Sequence, residues 1–550
     1  MTMQSTPMFA GFRQRMAWLH TWSSLWFCWL MFAIFLTGTL SVFNAQITQW
    51  MQPERMQTAD GDPATVQPGQ HLTPQDHAAA VNQGLRQLAK YAPDSNMWEI
   101  WPRAGEDSVR LFWLDKHGMF ADRRVSVSTG EQVPEPPRPG RDTTGGNHFV
   151  EFHHELHAET VGLWIVGIAS MAMLVALVSG IVTHRRIFKD FFTFRPGKGQ
   201  RSWLDAHNAL GVLTLPFLFM ITYTGLVISV YTYMPAAQLA QGMLNGQRTP
   251  VSEFGPSAAS QGQPAQLTAL GPLIKQAEAA LNSWTYAVVI DHPGDAAMKV
   301  KVYGAVHQAE QPRHILTTRG FLTFDGVSGA LLATNLPHSA PDGSGDASQR
   351  TMADLHEVKF ADPAVRWLYF ICGLAGSAMM ATGAILFMVK RRQKSLREFG
   401  RATPQVYRLI EILNVAAIAG LALACVAYLW GNRLLPLALD ERHDWEIMTF
   451  FAVWLLTLLH AALRPALPAW YEQLTLTAIL CLCLPLLNWL TTGQHLLVYA
   501  AQGEWGRGAV ELTTLLFGAL LLRAAWKVRQ KTRPAAALPV KHTRHMQGQP

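Results

Sequence analysis

Residues 158–186 read AETVGLWIVGIASMAMLVALVSGIVTHRR. No charged residue lies between Val161 and Thr183, and His184-Arg185-Arg186 closes the run. An apolar run of about 20 residues is what a helix needs to cross the roughly 30 Å bilayer core. The pattern recurs along the chain, giving predicted spans at about 20–43, 158–183, 208–231, 366–389, 410–430, 446–463, 470–490 and 509–526. The first of these is long for a signal-peptide core and has no clear small-x-small cleavage site after it, so it reads as a retained anchor.

The composition agrees. Of 550 residues, 49% are hydrophobic and only 15% charged, against about 25% charged in an ordinary soluble domain. This excludes a disordered chain and argues against a wholly soluble one. A mean hydropathy of +0.10 is too low for a chain that is all membrane. The net charge of +7 comes from clusters at span ends: Arg13 and Arg15; Arg185, Arg186, Lys189, Arg195, Lys198 and Arg201; Lys390, Arg391, Arg392, Lys394, Arg397 and Arg401; Arg464; and Lys527, Arg529, Lys531 and Arg533. All fall on one side of an eight-span arrangement with both termini inside, so the charge reads as orientation and not as a nucleic-acid patch. All five cysteines lie within spans, which leaves the outer parts without a disulfide framework.

Two long loops, about 44–150 and 232–355, then face outward. Each reads helix, strand, strand, strand. The first has a helix at Thr73–Ala89 and strands at Met97–Ala104, Val109–Asp115 and Phe120–Val127; the second has a helix at Leu267–Asn282 and strands at Trp284–Asp291, Met298–Tyr303 and Arg319–Phe324. The third strands end in related turns, Val127-Ser128-Thr129-Gly130 and Gly326-Val327-Ser328-Gly329. The fold class is therefore a multi-span α-helical membrane protein, about eight transmembrane helices, with two small α+β domains outside. The divisions are 1–45 (tail and first span), 46–150 (first outer domain), 151–231 (spans two and three), 232–355 (second outer domain), 356–395 (span four) and 396–550 (an extension with four more spans).

The spans repeat too. His20 lies eighteen positions before Gly38, and His207 eighteen before Gly225; His153 lies 27 before Gly180, and His356 27 before Gly383. Trp164 and Trp367 match at the same offset. The chain reads as span–domain–span, twice. His20 and His207 each open an outward-running helix, and His153 and His356 each open an inward-running one. The repeat thus sets a pair of imidazoles near each membrane face, where ionisable groups are costly and usually functional. His157, one helical turn from His153, is predicted on the same side of that helix.

Facing imidazoles can clamp haem iron axially in a bundle core, and Gly38, Gly180, Gly225 and Gly383 could let a flat macrocycle approach the backbone. Two rival readings stay open on the same residues: a metal site recruiting Glu151, Glu155, Glu159 or Glu357, and a proton relay. His184, at the inner end of span two, is a third inner ligand or a snorkelling residue. His154 points away from the His153/His157 face, His460 and His495 lie outside the repeat, and His71, His77, His117, His292, His307, His314 and His338 fit no ligand spacing. No P-loop, dinucleotide fingerprint, nucleophile elbow or C-x-x-C is present, so an electron donor would be a separate partner.

The segments Phe152-His153-His154-Glu155-Leu156-His157, Ser179-Gly180-Ile181-Val182-Thr183-His184-Arg185-Arg186, Ser202-Trp203-Leu204-Asp205-Ala206-His207 and Tyr223-Thr224-Gly225 resemble the PepSY-associated transmembrane helix family. The outer domains resemble PepSY domains, whose pattern ends in D-x-x-[ST]-G; Asp325-Gly326-Val327-Ser328-Gly329 fits, and the first copy has Ser126 in place of the Asp. The resemblance covers roughly residues 15–395. It implies an iron-regulated protein of the bacterial inner membrane, related to di-haem reductases of periplasmic ferric siderophores, with haem b, two in number by that likeness, on His20, His153, His157, His207 and His356. It implies as partners the membrane lipid, a ferric siderophore or other ferric chelate, and a cytoplasmic or quinol electron donor. The alternative reading is non-redox: a PepSY-type binding or regulatory module, or an ion-coupled transporter.

Overall fold

The computed structural model describes residues 11–54, 74–102, 107–114, 120–133, 140–184, 195, 197–234, 260–305, 320–337, 344–358, 360–392 and 399–532. The basic residues Arg185, Arg186, Lys189, Lys394, Arg397 and Arg533 lie outside these, as do His71, His117, His307, His314 and His338. The first repeat runs α1 (Phe12–Ser41), α2 (Asn44–Met51), α3 (Pro74–Tyr91), β1 (Met97–Pro102), β2 (Ser108–Leu114), β3 (Phe120–Ser126), α4 (Asn147–Glu155) and α5 (Glu159–Thr183). The second runs α6 (Gln200–Ile228), α7 (Leu270–Leu281), β4 (Thr285–Asp291), β5 (Lys299–Gly304), β6 (Phe321–Asp325), β7 (Leu331–Asn335), α8 (Ser344–Glu357) and α9 (Pro363–Arg392). The extension holds α10 (Thr403–Asn414), a π-helical turn at Val415–Gly420, α11 (Leu421–Leu434), α12 (Arg442–Leu463), α13 (Ala466–Thr492), α14 (Leu496–Gln502) and α15 (Trp505–Thr532).

Among the described residues eight helices are long and apolar enough to cross a membrane, at the places the hydropathy pattern predicts. Helices α1, α5, α6 and α9 form a bundle, with α1 against α5 and α9, and α6 against α9 and α5. Its core is filled by Met31, Phe32, Phe35, Met173, Leu177, Leu218, Met379 and Met380. Hydroxyls inside the spans need partners that lipid cannot supply. Thr37, Thr39, Ser179, Thr222 and Thr224 each donate to the carbonyl four residues earlier, which satisfies the hydroxyl without breaking the helix. The extension shares this core through Leu421, Ala424, Tyr428, Phe450 and Leu484.

The strands of the two loops form one sheet, ordered β3-β2-β1-β4-β5-β6-β7. The seam is an antiparallel pairing of β1 with β4, in which Trp98 faces Ile290 and Ile100 faces Val288. Alternating residues of every strand from β3 to β6 bury against α3 and α7, among them Ile100, Leu111, Val125, Val288, Val300, Val302 and Phe324. Gly84 lets α3 sit close, since a Cβ there would lie 2.8 Å from Ile100. Across the seam His77 Nδ1 of α3 lies 2.8 Å from the Glu278 carboxylate of α7. After the turn that follows β6 the chain returns as β7, and among the described residues the first loop has at the same place a single bridge, Val125 with Gln132; the residues of β7 are largely exposed, so no apolar alternation announces it in the sequence.

The related turns differ in how they are held. Asp325 accepts from the Ser328 N–H at 2.7 Å and the Ser328 hydroxyl at 2.8 Å. In the first copy, where Ser126 replaces that Asp, the carboxylate comes from Asp107 in the turn before β2, which accepts from Ser126 Oγ at 2.8 Å and the Ser128 N–H at 2.9 Å. Gly130 and Gly329 close the two turns in the left-handed region, with φ of 73° and 74°.

Candidate functional site

The four histidines of the repeat occupy the bundle in two pairs. Along α1 the eighteen residues from His20 to Gly38 rise about 27 Å, so the pairs sit at opposite ends of the span. At the end remote from the sheet, the rings of His20 (α1) and His207 (α6) are 6.5 Å apart between centroids and inclined by 59°. At the sheet end, His153 (α4) and His356 (α8) are 5.8 Å apart and nearly parallel at 26°.

Each histidine is fixed by one device, used four times. His20 Nδ1 donates to Ala176 O at 2.8 Å, His153 Nδ1 to Ile34 O at 2.7 Å, His207 Nδ1 to Met379 O at 2.8 Å and His356 Nδ1 to Ile221 O at 2.9 Å. Each accepting carbonyl lies four residues before one of the repeat glycines: Gly180, Gly38, Gly383 and Gly225 in that order. The glycines face histidine rings. A Cβ on Gly38 would lie 2.5 Å from His153, on Gly225 2.8 Å from His356, on Gly383 3.0 Å from His207 and on Gly180 3.2 Å from His20. The missing side chain lets the ring lie against the helix and reach a carbonyl that already serves the helix, through its second lone pair. In this structure the space beside each of these glycines is taken by an imidazole ring.

Since a carbonyl only accepts, each Nδ1 carries the proton and Nε2 keeps its lone pair. That is the tautomer of an imidazole ligand oriented by a second hydrogen bond. The histidines are reciprocal: α1 offers His20 to α5 and receives His153 from the α4–α5 segment, and α6 and α9 do the same with His207 and His356. Thr224 Oγ1 also lies 3.1 Å from His356 Nδ1.

The remote pair borders a cavity of about 970 Å³ between α1, α5, α6 and α9, within the size range of small-molecule and cofactor sites. Gly180 and Gly383 line it, and Arg13, His184, Asn208 and Lys390 bring polar and cationic groups to it. His184 Nε2 lies 3.3 Å from Asn208 Nδ2, so the sixth candidate lines the cavity with that amide beside it.

His157 departs from its predicted place. Helix α4 stops at Glu155, and Leu156 and His157 take left-handed backbone angles, φ 55° and 53°. The one-turn spacing from His153 therefore does not translate into a shared face. His157 turns back on His148, with His148 Nδ1 and His157 Nε2 2.9 Å apart and the rings stacked at 21°; its Nδ1 lies 3.3 Å from Glu151. Sequence reasoning passed over the buried His148, because its partner is reached only through that reversal. Among the described residues no group of three or more His, Cys, Asp or Glu gathers to hold a metal ion, and of the carboxylates in that rival reading Glu151 sits with His157 and Glu155 3.9 Å from His154.

The family described as the PepSY-associated TM region matches residues 17–390. An uncharacterised protein of Pseudomonas aeruginosa is similar at 24% identity over 406 residues, covering 70% of this chain and 96% of the relative.

Proposed function

The chain belongs to the PepSY-associated TM family, and from that premise we propose that it is a b-haem electron-transfer protein of the bacterial inner membrane. Its reaction would be reduction of a ferric siderophore, or another ferric chelate, on the side of the membrane that carries the sheet. The observation that carries this reading is the fourfold histidine–glycine device: two facing imidazole pairs, each ring oriented by an Nδ1–carbonyl hydrogen bond, so that Nε2 is the nitrogen that would ligate iron.

His20 and His207 would hold one haem, and His153 with His356 the other. A b-type haem between two imidazoles supplies one-electron exchange. The chain's own contribution is to fix ring orientation and tautomer, to exclude water with the Met, Phe and Leu side chains between the pairs, and to present Arg13 and Lys390 to the carboxylates of a ligand in the cavity. By chain direction Arg13, Arg195, Lys198, Lys390, Arg464 and Lys531 gather at span ends remote from the sheet, which favours a cytoplasmic location for that end and for both termini. Electrons would enter there from a separate cytoplasmic partner or from a quinol.

The test is a reduced-minus-oxidised visible spectrum of the protein purified from haem-replete cells, with the haem-to-chain ratio. We expect b-type bands and two haems per chain. Absence of such bands overturns the reading and leaves the binding-module or ion-coupled alternative.

A further inference from the structure

The four spans after residue 399 lie outside the family match, and neither histidine pair draws a residue from them. Yet the segment that presents His153 is held by them almost residue by residue. Arg141 pairs with Glu54 at 2.6 Å and donates to Asn432 O at 2.7 Å. Arg442 donates to Asp142 O at 3.0 Å, the Thr143 hydroxyl to the Glu446 carboxylate, and the Tyr428 hydroxyl to Gly145 O at 2.8 Å. Arg442 and Glu446 pair with each other and are wholly buried. Helix α4 follows directly. Its His148 ring packs 4.4 Å from Tyr428 and 4.6 Å from Phe450, and Phe152 packs against Phe450, Phe451 and Trp454.

Helix α4 has nine residues, too few to be stable alone, and left-handed residues follow it. Its orientation must come from packing. One side rests on the extension; from the other, His153 reaches Ile34 and the His356 ring. His356 is presented differently, from the fourteen-residue α8, which lies along α6.

We propose that the C-terminal extension is a clamp that sets the position of α4, and that Tyr428 is a positioning residue for the ligand His153. The clamp acts on the sheet-end site and leaves the remote site alone. The inference rests on the reading of His153 and His356 as haem ligands, and its test separates the two.

The full-length protein is compared with Tyr428→Ala, which removes the hydroxyl and the ring, and with Tyr428→Phe, which keeps the ring against His148. Amide hydrogen exchange needs no haem. In Tyr428→Ala we expect exchange across residues 147–155 to quicken by about tenfold or more, with residues 344–357 unchanged. In the His207→Ala background, which isolates the sheet-end haem, Tyr428→Ala is expected to shift its midpoint potential and low-spin spectrum; Tyr428→Phe returns both most of the way to the parent values. In the His356→Ala background the remaining haem keeps its potential. Unchanged exchange at 147–155 in Tyr428→Ala overturns the clamp, as does an equal shift of both haems. Should Tyr428→Ala fail to fold, Thr143→Val releases the same segment and is read in the same way. Wild-type protein without b-type bands overturns the haem reading, while exchange still decides the clamp.

Discussion

At the end remote from the sheet, His20 and His207 stand 6.5 Å apart, inclined by 59°, beside a cavity of about 970 Å³. At the sheet end, His153 and His356 stand 5.8 Å apart, nearly parallel. The same Nδ1-to-carbonyl bond fixes all four rings, but the fit is closer at the sheet end, where a Cβ on the facing glycine would come within 2.5 and 2.8 Å, against 3.2 and 3.0 Å at the other. One device thus yields two sites of different tightness. The remote site has room and cationic neighbours; the sheet-end site depends on how two short helices are held.

The largest expected effect separates the pairs outright. His207→Ala should abolish the remote haem and His356→Ala the sheet-end one, each halving the haem-to-chain ratio and leaving one component in a redox titration. Full haem content in either variant would sink the ligand assignment. Next come the glycines. Gly38→Ala drives a methyl group into the His153 ring, an overpacking that costs about 1–3 kcal/mol; we expect loss or misligation of the sheet-end haem alone. Gly180→Ala makes a contact that His20 can absorb by a few tenths of an ångström, so haem content should stay near wild type. If the two substitutions have equal effects, the difference in tightness is not real.

A smaller effect concerns His157. Because it lies with His148 and away from the pair, His157→Ala should keep both haems, by spectrum and by ratio. Loss of one would restore it as a ligand. The smallest effect lies in the sheet. The Ser328 N–H and hydroxyl hold the Asp325 carboxyl below the ordinary aspartate range, and the hydroxyls of Ser128 and Ser126 do the same for Asp107. A depressed carboxyl contributes stability that is present above its unfolded value, about 3.9, and is lost as pH falls through the folded value. Thermal melts should therefore show Asp325→Asn and Asp107→Asn slightly less stable than wild type at pH 7 and equal to it once the pH is well below that range.

Much of this was legible in the residues. Span positions follow from local hydropathy, and the histidine–glycine spacings follow from a repeat that survives in sequence. What each glycine faces was not legible: Gly38 meets His153 and Gly180 meets His20 only because α1 and α5 pack side by side, a tertiary fact that spacing along one helix cannot carry. The His157 prediction failed on two successive left-handed residues, Leu156 and His157; leucine seldom adopts that region, and the modest preference of histidine for it is too weak to announce a reversal on its own. The β1–β4 seam joins residues nearly two hundred positions apart, beyond the reach of any period-two pattern. The borrowed Asp107 was hidden for a related reason, since the substitution at Ser126 is compensated from a neighbouring turn.

That seam bears on how the molecule came to be one chain. In antiparallel pairing the two partners are interchangeable in kind, so β1 meets β4 much as two copies of one strand would meet across a twofold axis. A chain divided between α5 and α6 would leave each half with a bare strand edge, the feature that recruits further strands and invites aggregation. The covalent link between the repeats supplies each edge with its mate at a fixed one-to-one ratio, so that in the finished chain neither edge is without the strand that covers it.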